Sequence, residues 1–241
     1  MAKQRLDQKL VELGLVATRS QAESYIKLGQ VTVNGKVIIK PGEPARDDDV
    51  IMLSTTEQYV SRAALKLSSV AEALNVHFRD KIVLDVGSST GGFTDYALRH
   101  GATKVIAVEV GTDQLHPSLR DNPQIELHEK TDIRDFKTTD KIDMVVADVS
   151  FVSLRDILPA VAKLCTPETQ IIVMVKPQFE ATQSNLKHKG VIKNDAMRRD
   201  ILKDFEDWSK GQFIIQAKAD SEVSGAKGNK ERFYLLSLAT Q

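Results

Sequence analysis

The chain has 241 residues, enough for one large domain or for an ordinary domain with a small companion. Its 33 Lys and Arg balance 33 Asp and Glu, which excludes a bulk pull toward polyanions and leaves any nucleic-acid binding to local patches. The single cysteine, Cys165, excludes an internal disulfide, and no apolar run approaches the ~20 residues that cross a bilayer.

The N-terminal stretch MAKQRLDQKL lacks the apolar core of a secretion signal, so the expected location is the cytoplasm. RLDQKLVELG sets Leu6, Leu10 and Leu13 on one helical face, closed by Gly14. In TRSQAESYIKLG, Thr18 or Ser20 offers a cap, and Ala22, Tyr25 and Ile26 mark a second helix that ends at Gly29. VTVNGKVI reads as a hairpin, because β-branched residues flank Asn34-Gly35, the pair that tolerates positive φ in a type I′ turn. KPGEP turns the chain again and VIML is a last strand. A first domain is expected over residues 1–53, followed by a polar linker over 54–58.

From Tyr59 the pattern changes. SRAALKLSSVAEAL is amphipathic, with Ala63, Leu67, Val70 and Leu74 on one face. Strands and helices then alternate through KIVLDV, FTDYALRHG, VIAVEV, IELHE, IDMVVADV, LRDILPAVAKL, IIVMVK and DAMRRDILKDFEDWSK. Strands separated by helices imply a parallel sheet covered on both faces. Two strand-like runs close the chain, QFIIQAKAD and RFYLLSLAT, joined by a short loop and therefore expected to pair antiparallel. The fold class is α/β: a Rossmann-like, mainly parallel sheet with an antiparallel C-terminal strand over residues 59–241, preceded by a small α+β domain. Cys165 and Trp208 sit in helical patterns where packing is the ordinary role.

LDVGSSTGGFTD follows a strand and opens a helix, the place where small residues let backbone approach a ligand. A dinucleotide-binding G-x-G-x-x-G would need glycine where Ser89 stands. The pattern D-x-G-x-x-x-G fits instead, with Asp85, Gly87 and Gly91. It resembles the first motif of S-adenosylmethionine-dependent methyltransferases. The resemblance implies S-adenosylmethionine as cofactor, held by Asp85, Gly87, Ser88, Ser89, Gly91, Gly92 and Phe93. Glu109 closes the next strand about 20 residues on, the spacing at which an acid grips a ribose diol. Asp132 and Ile133 follow the third strand, where the family touches adenine, and Asp148 ends the fourth.

Four charges fall on strand ends and on the helix entering the sheet: Lys66 in YVSRAALKL, Asp148 in ADVSF, Lys176 in VKPQFE and Glu231 in GNKERF. Their order resembles the Lys-Asp-Lys-Glu tetrad of FtsJ-type ribose 2′-O-methyltransferases. The four quoted segments resemble the hemolysin A (TlyA) branch of that family over nearly the whole chain. The resemblance implies an rRNA 2′-O-methyltransferase, with a cytidine as target and Lys66, Asp148, Lys176 and Glu231 as catalytic residues. A lysine at the mouth of a buried strand is costly unless it is paired or used. Here a group within ~2.6–3.2 Å of the ribose hydroxyl must accept its proton or hold its dipole. A free lysine is charged at neutral pH, so Lys176 either takes that proton or orients the hydroxyl while the proton leaves late. Asp148 would position Lys176, and Lys66 and Glu231 would complete the network.

Residues 1–53 resemble the small RNA-binding domain of a small-subunit ribosomal protein and of pseudouridine synthases, through Arg19-Ser20-Gln21, Ala22, Gly29 and V-x-V-N-G at 31–35. Seven basic residues against three acidic ones up to Lys40 leave a local positive excess, suited to phosphate contacts that position without reading sequence. Arg5, Lys9, Arg19 and Lys27 are the candidate RNA contacts. Arg5 and Lys9, four apart, are expected on one helix face. Arg62 is placed either against RNA or as a bridge between domains. The basic stretches NLKHKG and NDAMRR are placed at the rim of an RNA groove. The expected partner is ribosomal RNA or a ribosomal subunit, and the start of the chain so near the first helix favours a single large-subunit target. Five scattered histidines give no metal-ligand spacing, so no metal is expected, and no membrane partner. The alternatives are a cytolysin, a non-catalytic ribosome-binding assembly factor and a base methyltransferase. The sequence leaves oligomeric state open.

Overall fold

The computed structural model describes residues 4–54, 58–181, 191–192, 194–225 and 228–239. Lys3, linker residues 55–57 and the stretch NLKHKG lie outside the described residues. The strand β1 (Gln4–Arg5) leads into α1 (Leu6–Glu12), and α2 (Arg19–Lys27) follows. Of the two candidate caps it is Thr18 that acts. Its side chain accepts from Gln21 N while the Gln21 side chain accepts from Thr18 N, a capping box that satisfies two otherwise orphaned donors. The strands β2 (Val31–Val33) and β3 (Lys36–Val37) form the expected hairpin. Asn34 and Gly35 both take positive φ, 52° and 78°, as a type I′ turn requires. The short β4 (Pro44–Ala45) pairs with β1, and β5 (Ile51–Leu53) pairs with β2. Two-residue strands such as β1 and β4 carry no alternation, so the sequence pattern did not reveal them.

The second unit runs α3 (Arg62–Ala71), β6 (Ile82–Val86), α4 (Gly92–Arg99), β7 (Lys104–Val108), α5 (Pro117–Arg120), β8 (Ile125–His128), β9 (Met144–Ala147), α6 (Leu154–Ala162), β10 (Gln170–Val175), α7 (Pro177–Glu180), α8 (Asp195–Ser209), β11 (Phe213–Asp220) and β12 (Arg232–Leu238). The strands lie in the order β11-β12-β10-β9-β6-β7-β8. The five from β10 to β8 are parallel neighbours, whereas β12 runs antiparallel to both β10 and β11. In β10, Ile171, Val173 and Val175 enter one core while Ile172 and Met174 enter the other. A strand covered on both sides has no polar face, which is why IIVMV is unbroken. Burying each such side chain contributes ~1.5–3 kcal/mol. One face is covered by α6 and α8 through Leu158, Val161, Leu202 and Phe205, the other by α3 and α4 through Leu67, Val70, Phe93 and Tyr96.

From β6 the chain proceeds through β7 to β8, then returns to lay β9 on the opposite side of β6. This reversal opens a crevice beyond the carboxyl ends of β6 and β9, the usual ligand position in such sheets. One local expectation is corrected: α3 ends at Ala71, short of the amphipathic pattern that reaches Leu74. After Lys176, Pro177 occupies the first position of α7, where its missing N–H costs nothing.

Candidate active site at the carboxyl ends of the strands

The turn from β6 into α4 sets one wall. Gly87 has φ +78°, and a Cβ there would lie 3.1 Å from the Asp148 carbonyl oxygen, so the two loops meet backbone to backbone. Gly92 abuts the start of α3: a Cβ would fall 2.2 Å from Ser61 Oγ. Asp85 is buried behind this turn, and its Oδ2 accepts from Thr94 Oγ1 at 2.6 Å. Asp85 Oδ1 and Ser88 Oγ are buried with no hydrogen-bond partner among the described residues. Burial pushes the Asp85 carboxyl up to about 7, against the Thr94 hydrogen bond, and the charges of Asp148 and Glu109 add to the rise.

Glu109 follows β7 directly and is buried. Its Oε2 accepts from Ser89 N at 2.9 Å and its Oε1 from Gly111 N at 2.7 Å, which fixes the carboxylate beside the glycine turn. Asp132 accepts from the Arg134 backbone N–H and from both arms of its guanidinium; these hydrogen bonds hold its carboxyl down at about 2. Ile133 is buried beside it. A cavity of about 510 Å³ runs between Gly87, Glu109, Asp132, Ile133 and Asp148. A smaller space of about 80 Å³ continues toward Asp85, Ser88 and Phe93. Phe93 serves the core as well, its ring 6.0 Å from that of Phe233.

The four charges assemble as two ion pairs. Lys176 Nζ lies 2.5 Å from Asp148 Oδ1, and Lys66 Nζ lies 2.6 Å from Glu231 Oε2. Lys66, Lys176 and Glu231 are all buried, so each charge is balanced where an unpaired one would be costly. Asp148 immediately follows β9 and Lys176 immediately follows β10, whose parallel pairing brings their ends side by side.

Three residues here escaped the sequence reading. Ser150 Oγ accepts from Lys176 Nζ at 2.8 Å. Phe151 is 93% exposed with φ +66°, a conformation bulky side chains rarely adopt, and its ring lies 5.2 Å from that of Phe179. Glu180 is buried and ties the same loop from α7: Ser153 Oγ donates to it at 2.7 Å and Leu154 N at 2.8 Å. The motifs ADVSF and VKPQFE held part of the signal: Lys176 meets Asp148 and Ser150 in the facing motif, whereas Glu180 reaches just beyond it, to Ser153 and Leu154.

The small domain arranges its basic residues differently. Arg5 precedes α1 as its cap residue and does not share a face with Lys9. Arg5 and Arg19 both donate to buried Asp7, while Lys9 is itself buried and donates to Glu12 and Asp47, each at 2.9 Å. Lys27 is exposed and has no ion-pair partner among the described residues. Of the two placements for Arg62, the bridge is the one seen: it donates to Ser24 Oγ at 3.1 Å and to the Ser224 carbonyl at 2.7 Å. Leu65 and Val223 join the core of the small domain beside it.

Comparison with known proteins agrees with this geometry. Residues 59–238 match the FtsJ-like methyltransferase family, and residues 4–51 match the S4 domain. The chain is 37% identical to "23S rRNA (cytidine-2'-O)-methyltransferase TlyA" of Campylobacter jejuni, over 90% of this chain and 93% of that protein. It is 36% identical to "16S/23S rRNA (cytidine-2'-O)-methyltransferase TlyA" of Mycobacterium tuberculosis, over 98% of this chain and 90% of that one. A solved structure from Streptococcus thermophilus, named "Putative hemolysin", is 34% identical, with a TM-score of 0.72 over 100% of this chain and 90% of that one. With its sheet, its glycine turn and both of these matches, the chain belongs to the FtsJ-like methyltransferase family and carries an S4 domain ahead of the methyltransferase unit.

Proposed function

We propose that this protein transfers the methyl group of S-adenosylmethionine to a ribose 2′-hydroxyl of ribosomal RNA, at a cytidine, in the cytoplasm. Residues 1–53 serve RNA binding, 54–58 link, and 59–241 carry the reaction. The observation that carries the reading is Lys176, a buried ammonium held between Asp148 and Ser150, both of which line a cofactor-sized cavity. The names of the rRNA-modifying relatives support the substrate.

The residues present fit the cofactor. Glu109 would accept from a ribose diol, Asp132 and Ile133 would meet the adenine, and the 87–92 turn would meet the methionine portion, since all border the same connected cavity. The unpartnered Asp85 Oδ1 and Ser88 Oγ give that end polar atoms in need of a ligand or water. When bound, the cofactor supplies a methyl group on a cationic sulfur.

Lys176 orients the 2′-oxygen by donating to it, so that one lone pair faces the methyl carbon. With the cofactor bound, its methyl carbon would pass from the sulfur to this oxygen, leaving a neutral thioether. The hydroxyl proton departs late, to solvent at the open mouth. Asp148 holds Lys176 and lends negative charge near the sulfonium. Lys66 and Glu231 complete the polar wall around the ribose. Phe151 offers an exposed ring for a base to stack on. Arg5, Arg19 and Lys27 meet phosphates, whereas Lys9 and Arg62 act within the protein. Among the described residues no helix is long and apolar enough to cross a membrane.

The test is tritium-methyl transfer to ribosomal RNA from cells lacking the gene, followed by nuclease mapping of 2′-O-methylated riboses. The expected result is cytidine-specific label that requires Lys176. Label on a base, or none on RNA, overturns the reading.

A further inference from the structure

We propose that Ser150 is a positioning residue for methyl transfer: its hydroxyl fixes the rotation of the Lys176 ammonium so that another N–H faces the sugar oxygen. This deepens the function proposed above and rests on it. An ammonium carries three hydrogens in tetrahedral array. Ser150 Oγ accepts one at 2.8 Å, and Asp148 Oδ1 lies 2.5 Å away on the ion-pair side. Among the described residues Ser150 Oγ is the hydrogen-bond acceptor on Nζ, while Asp148 stands at ion-pair distance and makes no directed hydrogen bond, so the Ser150 contact is what sets the rotation of the ammonium. A lysine held by Asp148 alone would keep its charge but lose that orientation, because rotation about the terminal carbon–nitrogen bond is otherwise free.

The loop that carries Ser150 is built to hold this arrangement. Its next residue, Phe151, is kept at φ +66°, a strained conformation that persists only where the surroundings over-determine it. Two cross-ties from the Lys176–Glu180 segment do so. Lys176 grips Ser150 on one side of Phe151, and Glu180 grips Ser153 and Leu154 on the other. Ser150 itself is exposed and borders the cofactor cavity, so it adds little to the core. A hydroxyl in an exposed loop that accepts from the buried Lys176 ammonium is placed for the reaction and not for packing.

The experiment compares wild type, Ser150→Ala and Ser150→Thr in single-turnover methyl transfer to ribosomal RNA from cells lacking the gene, at saturating RNA and cofactor. Calorimetry gives cofactor affinity and filter binding gives RNA affinity. Ser150→Ala is expected to lower the transfer rate about tenfold, with both affinities within twofold of wild type, and Ser150→Thr to restore most of the rate. A wild-type rate in Ser150→Ala overturns the proposal, as does a loss that lies wholly in RNA or cofactor affinity, or a Thr variant as slow as Ala. Absence of ribose methylation by wild type overturns the function itself and this inference with it, and is read from the wild-type arm alone.

Discussion

The carboxyl edge of the sheet and the small N-terminal domain both hold buried charges, and they use them in opposite ways. At the sheet edge, each buried lysine faces one carboxylate, and Asp85 and Ser88 nearby keep unpartnered polar atoms among the described residues. In the small domain the two buried charges are each engaged twice: Asp7 takes two guanidiniums, and Lys9 takes two carboxylates. Burial alone would raise Asp7, but the hydrogen bonds from Arg5 and Arg19 outweigh it and hold its carboxyl below the ordinary range. The lesson is that a local excess of positive charge is not in itself a contact surface. Unmet hydrogen-bonding capacity beside a cavity is the better marker of a site.

The sharpest way to break this comparison is Lys176→Ala. If the sheet edge is the reacting site, transfer falls by roughly 10³-fold, the order lost with one preorganised hydrogen-bond donor. Cofactor affinity by calorimetry stays within a few-fold, since Lys176 is not among the residues lining the cavity. Normal turnover would reduce the two lysine pairs to structural ion pairs and erase the distinction between the regions. Phe151→Ala comes next. Stacking a base on an aromatic ring contributes ~1–3 kcal/mol, so RNA affinity should drop by about tenfold in filter binding. Melting temperature should hold, because a side chain that is 93% exposed buries little.

Much of this was legible from the chain alone, and the exceptions have physical causes. Asn34-Gly35 and the unbroken β10 run follow from local rules, and strand-end charges follow from topology once the strands are located. Glu180 and Ser150 could not be placed the same way, because their partners are set by the crossing of two loops about 26 residues apart. Likewise the partner of Lys9, Asp47, lies 38 residues on, so Lys9 reads in sequence as a free basic residue. Phe151 was hidden for another reason: nothing in an aromatic residue announces positive φ, and only its two anchored flanks enforce it.

A third experiment concerns Asp85 and sharpens the claim that the sheet edge holds unmet capacity. Its carboxyl sits at about 7 when folded, above the ordinary 3.8. Between those values the folded protein keeps a proton that the unfolded chain releases, so stability without cofactor declines as pH rises through this window. Asp85→Asn should flatten that decline in thermal melts. A cationic ligand favours the ionised form, so S-adenosylmethionine affinity should weaken by up to about tenfold per pH unit below 7 in calorimetry. A flat affinity from pH 5.5 to 8 would place Asp85 outside the cofactor's reach.

The smallest expected effect tests the other half of the comparison, by setting Lys27 against Lys9. If each phosphate contact releases about one counterion, Lys27→Ala lowers the slope of log affinity against log salt by about one. It should leave the melting temperature unchanged, since the side chain is exposed and has no ion-pair partner among the described residues. Lys9→Ala should do the reverse. It leaves the salt slope as it was, because its ammonium already faces Glu12 and Asp47, and it lowers thermal stability by removing a buried stem and uncoupling two carboxylates. Equal salt effects from the two substitutions would mean that Lys9 leaves its carboxylates to meet RNA. The count of basic residues would then have been a better guide to the interface than their partners in the free protein.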